Sequence, residues 1–260
     1  MRVAVTGATG RMGRTVLEEV RDGSDDVALA VSESAPGAEV AGTTVSDAAD
    51  LETGLEESAP DVLVDFTVPT ASVEYARTAA AVGVPVVIGT TGFDDGQEAT
   101  LDRVGESVPV LTAANFARGI QALLDAVESV IADLPGYDVE VTETHHDGKR
   151  DAPSGTAGLV LDRIDEVRGQ EAERVFGRGG DAPRSDGEIG VHARRAGDVT
   201  GAHEVLAAGN GESIALTHRA GSRSVFAAGA LDAARWLVSR SPGRYRFADV
   251  ADRLGETNEP

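Results

Sequence analysis

The chain has 260 residues, which is enough for two domains that each bury a core. Its formal net charge is −21, which opposes binding to nucleic acid because the phosphates would be repelled. It has no cysteine, which excludes disulfides and thiolate metal sites. The sequence shows neither an apolar run of 18 residues nor a signal peptide, so we expect a cytoplasmic protein that does not enter membranes.

Acidic residues are distributed along the whole chain rather than confined to a tail. A solvated acidic surface is one explanation of the charge, and adaptation to a salt-rich cytoplasm is a sharper one. Of the 23 basic residues only Lys149 is a lysine, and lysine scarcity combined with excess acid resembles proteins from salt-accumulating organisms. We therefore expect a halophilic protein.

The first part of the chain alternates between short apolar runs and helix-forming segments. Strands are predicted at Arg2–Thr6, Val27–Val31, Asp61–Phe66, Pro85–Ile88 and Val108–Thr112. Helices are predicted at Arg11–Val20, Ala71–Ala81 and Gly96–Gly105. Such alternation predicts an α/β fold with a parallel sheet and right-handed crossovers.

The pattern changes after about Asn115, where strand-like runs cluster together. Helices are predicted at Gly119–Leu134, Ser154–Val167 and, as the final element, Ser224–Ser239. Strands are predicted at Tyr137–Thr144, Ile189–Arg194, His203–Ala208 and Glu212–Arg219, and a loop at Arg168–Gly187. The turn Gly209-Asn210-Gly211 indicates a hairpin, because Asn-Gly tolerates positive φ. These elements predict a second, α+β domain with an open sheet.

A glycine-rich loop follows the first predicted strand and opens the first helix. Gly7, Gly10 and Gly13 have the spacing GxxGxxG, which is less specific than GxGxxG but stands in the context that a dinucleotide-binding turn requires. Glycines there let the backbone turn sharply and approach a pyrophosphate held by backbone N–H groups. Glu33 follows Gly13 by 20 residues, at the end of the second strand. It is either a ribose-binding acid or one more surface glutamate.

A second motif runs from Glu143 to Thr156 and concentrates groups that transfer protons. His145, His146 and Lys149 stand within five residues of one another. Ser154 then offers an N-cap to a helix whose first turn favours an anion such as a carboxylate. The histidine pair alone could be a metal site, but no HExxH helix and no cysteine support one, and an ordinary polar loop is the favoured alternative for the pair by itself.

The position of the single lysine favours a chemical role for this segment. In a chain that otherwise uses arginine, a surface cation would be expected to be arginine as well. Lysine differs from arginine in its compact ammonium group and its tunable pKa. The segment is therefore typical of a site for a small, negatively charged substrate that exchanges protons.

The run His-His-x-x-Lys-x-Asp-Ala-Pro-Ser-Gly-Thr resembles the signature of the 4-hydroxy-tetrahydrodipicolinate reductases, formerly called dihydrodipicolinate reductases. The glycine loop resembles the nucleotide loop of that family. Two further segments resemble those that border the nicotinamide in that family: Gly89-Thr90-Thr91-Gly92 and Ala113-Ala114-Asn115-Phe116. Others resemble later family motifs in the same order: Arg195-Ala196-Gly197-Asp198 with Gly201 and His203, His218-Arg219-Ala220 with Arg223, and Phe226-Ala227 with Gly229-Ala230-Leu231.

The resemblance implies a role for each matching residue. His145 would be the proton donor and acceptor and Lys149 a proton donor, while His146, Gly155 and Thr156 would bind the carboxylates of a small heterocyclic dicarboxylate. The residues that would hold NADH or NADPH are Gly7, Ala8, Thr9, Gly10, Arg11, Met12, Glu33, Gly89, Thr90, Thr91, Ala113, Ala114, Asn115 and Phe116. No metal is implied.

The resemblance also implies a Rossmann-like nucleotide domain at 1–117 and 224–260, with an inserted α+β domain at 118–223 that carries an open mixed sheet. The inserted domain would bind the substrate and form a homotetramer through its sheet. Many family members carry arginine where this chain has Ser34, so NADH is expected to serve at least as well as NADPH, unless Arg11 contacts the 2′-phosphate.

Two other readings compete with this one. Another two-domain dehydrogenase would explain the glycine loop but not the segment from His145 to Thr156. A non-catalytic nucleotide-sensing regulator would keep the loop and need no clustered histidines and lysine. The resemblance favours NAD(P)H-dependent reduction of 4-hydroxy-tetrahydrodipicolinate, in the diaminopimelate and lysine pathway.

Overall fold

The computed structural model describes residues 1–254, with side chains to residue 250. The described chain forms two compact units, one from residues 1–116 and 223–254 and the other from Ala117–Ser222. Residues 255–260, which the predicted nucleotide domain included, lie outside the described part. No helix in that part is long and apolar enough to cross a membrane.

The first unit is built on a seven-stranded sheet in which every strand pair is parallel. In spatial order the strands are β14 (Gly243–Arg246), β8 (Pro109–Thr112), β7 (Val86–Ile88), β6 (Val62–Asp65), β1 (Arg2–Thr6), β2 (Asp26–Ser32) and β5 (Ser46–Asp47). A separate antiparallel pair joins β3 (Glu39–Val40) to β4 (Thr43–Thr44).

Helices cover both faces of this sheet. They are α1 (Arg11–Asp22), α2 (Leu51–Ser58) after a single 3-10 turn at Ala48–Asp50, α3 (Pro69–Ala81), α4 (Asp95–Gly105), α7 (Ser224–Leu237) and α8 (Phe247–Leu254). Residues of α1 and α7 pack with β1 and β6 in one apolar core, and residues of α2, α3 and α4 pack in a second. This doubly covered arrangement explains why the strands read as continuous apolar runs.

The second unit has a five-stranded mixed sheet. In spatial order its strands are β10 (Arg174–Phe176), β11 (Ile189–Arg195), β9 (Asp138–His145), β12 (Gly201–Gly209) and β13 (Glu212–Ala220). The pairs β10–β11 and β11–β9 are parallel, and the pairs with β12 are antiparallel. Helices α5 (Arg118–Asp133) and α6 (Gly155–Arg168) pack on each other. Helix α5 also packs against β13, and α6 packs against β9.

The predicted fold class is confirmed, and so is the hairpin between β12 and β13. Its turn residues have positive φ, 51° at Asn210 and 80° at Gly211, as a two-residue turn of this kind requires. The side chains of β9 alternate between buried and partly exposed positions, which gave the strand its signal in the sequence.

Two predictions about elements were wrong. Arg168–Gly187 is not wholly a loop. Arg168 is the last residue of α6, and the segment contains strand β10, which pairs with β11. The helix predicted as the final element is followed by β14 and α8. Strand β10 has only three residues and includes no buried one, so it carries no apolar pattern that could reveal it. Strands β3, β4 and β5 have two residues each, which is too short for an alternating pattern to show.

Candidate functional site

The glycine loop between β1 and α1 makes a tight turn under steric constraint. Gly7 has φ of 66°, and Gly10 donates its N–H to the Gly7 carbonyl at 2.8 Å. A Cβ on Gly13 would overlap that carbonyl oxygen, and a Cβ on Gly7 would lie 2.8 Å from Thr67 Cγ2. Gly10 caps α1 without a side chain, so the first turn has no hydroxyl or carboxylate covering it. Such a turn suits the close approach of a phosphate.

The end of β2 lies beside this loop. Glu33 is exposed and accepts a hydrogen bond from the Tyr75 hydroxyl at 3.2 Å. Ser34 Oγ lies 2.9 Å from Thr9 Oγ1, and Arg14 Nε donates to the Thr9 carbonyl at 2.9 Å. The guanidinium held at this edge is therefore that of Arg14, which the sequence did not single out, whereas the Arg11 side chain is exposed.

The segments after β7 and β8 lie at the same edge of the sheet. Gly89 donates to the Asp65 carbonyl at 2.8 Å, and Ala113 donates to the Ile88 carbonyl at 3.1 Å. A Cβ on Gly89 would overlap the ring of Phe66, so only glycine fits there. The Phe116 side chain is 1% exposed and packs edge-on against Phe66, with ring centroids 5.8 Å apart. Phe116 is thus a core residue, whereas Thr91 and Ala114 are exposed.

These segments follow the carboxyl ends of parallel strands, where ligands bind in open α/β sheets. At three positions along this edge a Cβ would lie closer than 3.0 Å to neighbouring atoms, and each of them is a glycine: Gly7, Gly13 and Gly89. The residues present therefore fit a dinucleotide whose phosphates lie at the first turn of α1.

The second unit centres on Glu143, whose carboxylate is buried and accepts four hydrogen bonds. Arg195 binds it through both terminal nitrogens at 2.8 Å each, and His145 Nδ1 lies 2.6 Å from it. The Ser154 backbone N–H adds a fourth bond at 3.2 Å. The strand register brings these residues together, since Arg195 on β11 pairs with His145 and His203 on β12 pairs with Glu143.

Burial would raise the pKa of Glu143, but the hydrogen bonds from Arg195 and His145 outweigh it, and that pKa is lowered. The pKa of His145 is lowered from 6.5, chiefly by burial and further by Lys149 and Arg195, although Glu143 opposes the shift. Since Nδ1 donates its hydrogen to the Glu143 carboxylate, the neutral ring carries its lone pair on Nε2. A Cβ on Gly201 would lie 3.1 Å from Nε2, so glycine leaves that atom uncovered.

The other predicted residues of this unit follow His145 along the chain, in the loop after β9 and the first turn of α6. Lys149 Nζ lies 2.8 Å from Asp151 Oδ1, and its backbone N–H bonds the His146 carbonyl at 3.2 Å. Ser154 caps α6 by accepting the Ala157 N–H at 3.2 Å, as the sequence predicted. In the first turn of α6, Gly155 is exposed and Thr156 is buried. The structure therefore groups all five predicted residues around one strand end and one helix N-terminus.

From the sequence alone, Glu143, Arg195 and His203 had no role in the site. Glu143 appeared only as the start of the second motif, and Arg195 and His203 only as parts of a family motif. Glu143 could have been found, because it falls on the buried side of the alternating strand β9, where a charge needs partners. Arg195 and His203 are 52 and 60 positions away from Glu143 along the chain, and only the strand register reveals them. Among the residues described, no group of three or more His, Cys, Asp or Glu could hold a metal.

Buried His203 is expected to make the second unit acid-sensitive. Burial is the main cause that lowers its pKa from 6.5 to about 4. The neighbouring His145, His218 and Lys149 also lower this pKa, and Glu143 opposes the shift only in part. In the unfolded chain this histidine is protonated at a higher pH than in the folded chain. The stability that depends on a neutral His203 is therefore complete above about pH 6.5 and is lost as the pH falls toward 4. The loss is about 3 kcal/mol.

The measurement is the free energy of urea unfolding between those two pH values, for the wild type and for His203→Gln. Glutamine does not titrate and can still bond Ser154, whose Oγ lies 3.0 Å from His203 Nε2. The variant should show a shallower loss of stability on acidification. Equal slopes for the two proteins would contradict the assignment.

The sequence matches two family models over most of its length. Residues 1–116 match the N-terminal part of dihydrodipicolinate reductase, and residues 119–251 match its C-terminal part.

Similar proteins carry related names. A 4-hydroxy-tetrahydrodipicolinate reductase of Natronomonas pharaonis is 52% identical over 251 residues, covering 96% of this chain and 100% of that protein. One of Haloarcula marismortui is 49% identical over 251 residues, covering 96% and 99%. A solved structure, dipicolinate-bound dihydrodipicolinate reductase from Paenisporosarcina sp. TG-14, has a TM-score of 0.75 and 27% identity, covering 95% of this chain and 97% of the other.

Proposed function

The chain belongs to the dihydrodipicolinate reductase family, and we propose that it reduces 4-hydroxy-tetrahydrodipicolinate to tetrahydrodipicolinate in diaminopimelate and lysine biosynthesis. The observation that carries this proposal is the Glu143–His145 pair, with carboxylate and imidazole 2.6 Å apart beside Lys149. A nucleotide sensor would need the glycine loop but no such proton-transfer arrangement.

The reaction adds a hydride and a proton to the substrate and releases its hydroxyl as water. A bound nicotinamide supplies the hydride. His145 supplies and accepts protons, Lys149 supplies a proton, and Glu143 holds the imidazole so that Nε2 is available. His146, Gly155 and Thr156 bind the substrate's carboxylates, supported by the N-terminus of α6 and by the positive charge of Lys149.

The cofactor is NADH or NADPH, and we assign its binding to the first unit. The first turn of α1 receives the phosphates, and Glu33 bonds a ribose hydroxyl. The residues assigned to the cofactor are those of the three loops and of the β2 end: Gly7, Ala8, Thr9, Gly10, Arg11, Met12, Glu33, Gly89, Thr90, Thr91, Ala113, Ala114, Asn115 and Phe116. For Phe116, whose ring is in the core, we assign a backbone contact.

We further propose that the second unit binds the substrate and forms a homotetramer through its five-stranded sheet. Supporting this, β13 is an edge strand whose residues are mostly exposed, with Ile214 39% exposed. The net charge of −21 supports a salt-rich cytoplasm as the working environment. Native mass in solution and activity across a salt series test these two points.

The function is tested by following NADH and NADPH oxidation by the pure protein, with and without freshly prepared 4-hydroxy-tetrahydrodipicolinate. Substrate-dependent oxidation supports the proposal. Nucleotide binding without turnover would indicate a sensor, and turnover of a different oxo acid would indicate another dehydrogenase.

Cofactor choice gives a sharper prediction. Glu33 repels a 2′-phosphate and Ser34 supplies only a hydroxyl, so NADH should be used at least as well as NADPH. Ser34→Arg should shift the ratio of kcat/KM values toward NADPH by about 1–3 kcal/mol. Ser34→Thr, which keeps the hydroxyl, is the matched control. A wild type that prefers NADPH tenfold or more, roughly 1.4 kcal/mol, would instead assign the phosphate to Arg14 or Arg11.

A further inference from the structure

Asp65 is a buried carboxylate in the first unit that the sequence analysis did not single out. It ends β6 and is fully buried. Thr6 and Thr67 donate their hydroxyls to Oδ1 at 2.6 and 2.7 Å. Ser72 and Thr90 donate to Oδ2, the latter at 3.0 Å. Each carboxylate oxygen therefore receives two hydrogen bonds.

The four hydroxyl hydrogens match the acceptor positions that an ionised carboxylate offers. An ionised carboxylate only accepts hydrogen bonds and has about four lone-pair sites, whereas a protonated one must donate. The Thr90 hydroxyl also accepts the Thr67 N–H at 3.0 Å, which leaves its own hydrogen for Asp65. Among the ion pairs of residues 1–250, none includes Asp65, so neutral donors solvate the charge and no cation cancels it.

The hydroxyl groups around Asp65 connect it to the loops assigned to the cofactor. Thr6 immediately precedes Gly7, and Thr90 immediately follows Gly89. A Cβ on Gly7 would also lie 2.8 Å from Thr67 Cγ2, so Thr67 packs close to the glycine turn. Asp65 thus holds together the carboxyl ends of β1, β6 and β7.

We propose that Asp65 is a positioning residue that fixes Thr90 and, through its uncancelled charge, favours the oxidised nicotinamide over the reduced one. The inference rests on the proposed function, since it takes the Gly89–Thr91 loop to border the nicotinamide ring. The oxidised ring is positively charged and the reduced ring is neutral, so a nearby buried anion stabilises the former selectively. The same effect stabilises the ring as it loses hydride, when positive charge develops.

The test is equilibrium binding of oxidised and reduced dinucleotide to the full chain, by calorimetry without substrate. Asp65→Asn keeps the size and removes the charge. It should raise the Kd of the oxidised form at least about fivefold more than that of the reduced form. Asp102→Asn, an exposed aspartate of the same unit with a side chain 68% exposed, should leave the ratio unchanged. A purely structural role would raise both Kd values equally, and that result would overturn the proposal.

A second pair of variants tests the link through Thr90, should Asp65→Asn fail to fold. Thr90→Ser keeps the hydroxyl and should leave both Kd values within about twofold of wild type. Thr90→Val removes it and should raise both at least about fivefold, the loss expected for a hydrogen bond to a charged group. Equal binding by the two variants would overturn the link. Failure of the wild type to bind either dinucleotide would overturn the proposed function and this inference together.

Discussion

Replacing His145 with Gln, or Lys149 with Ala, is expected to lower kcat by roughly 10²-fold or more, the scale of a lost general acid or base. Glutamine can still contact Glu143 but cannot transfer a proton from the position of Nε2. Alanine at 149 removes the ammonium and leaves Asp151 without its partner at 2.8 Å. Both residues belong to the second unit, so the Kd of NADH, measured by calorimetry, should hardly change.

The second unit offers matched controls for both changes. His192 lies on β11 of the same sheet, with Nε2 2.6 Å from the Glu140 carboxylate, so His192→Gln repeats the chemical change at an imidazole–carboxylate pair outside the site. Arg150→Ala removes an exposed cation next to Lys149. Both controls should keep kcat near the wild-type value. A His145→Gln or Lys149→Ala enzyme with near wild-type kcat would overturn the assignment of that residue.

Gly13→Ala is expected to weaken dinucleotide binding at least about tenfold and to destabilise the first unit by about 1–3 kcal/mol. The new Cβ would overlap the Gly7 carbonyl oxygen and lie 2.7 Å from its carbon. Because both are backbone atoms, relief requires α1 to move away from β1, which disturbs the turn that receives the phosphates. The measurements are calorimetric titration with NADH and the urea midpoint of unfolding.

Gly158→Ala is the matched control for that change. Gly158 lies inside α6, and a Cβ there has nothing within 4 Å. Alanine should stabilise the helix by about 0.5–1 kcal/mol and leave NADH binding unaffected. If Gly13→Ala bound NADH as tightly as Gly158→Ala, the close contact of α1 with the loop would have no part in binding.

The features that could be predicted from the sequence are those that depend on neighbours along the chain. The turn at Asn210-Gly211, the cap at Ser154 and the glycine loop are all of this kind, because local geometry selects their residue types. The buried charges are different. A sequence window shows Glu143 or Asp65 as one acid among 44, and nothing local says that it is buried.

Each of those two acids also has a partner that a neighbouring strand brings to it. Arg195 reaches Glu143 because β11 and β9 pair in one register, and Thr90 reaches Asp65 because β7 lies beside β6. A shift of that register by one residue would move each partner to the opposite face of its sheet. Periodicity predicts that such strands exist but not which residues face one another, so this part of the site required the structure.

The single lysine has a practical consequence for spectroscopy. Reductive methylation with ¹³C-formaldehyde modifies amines, and this chain offers only Lys149 Nζ and the N-terminal nitrogen, which is itself paired with Asp25 at 3.1 Å. A dimethylated wild type would therefore show two dimethylamine resonances, and the one that is missing from Lys149→Arg belongs to Lys149. Its chemical shift across pH reports the ionisation of the ammonium beside Asp151 directly, in the intact chain and at any salt concentration.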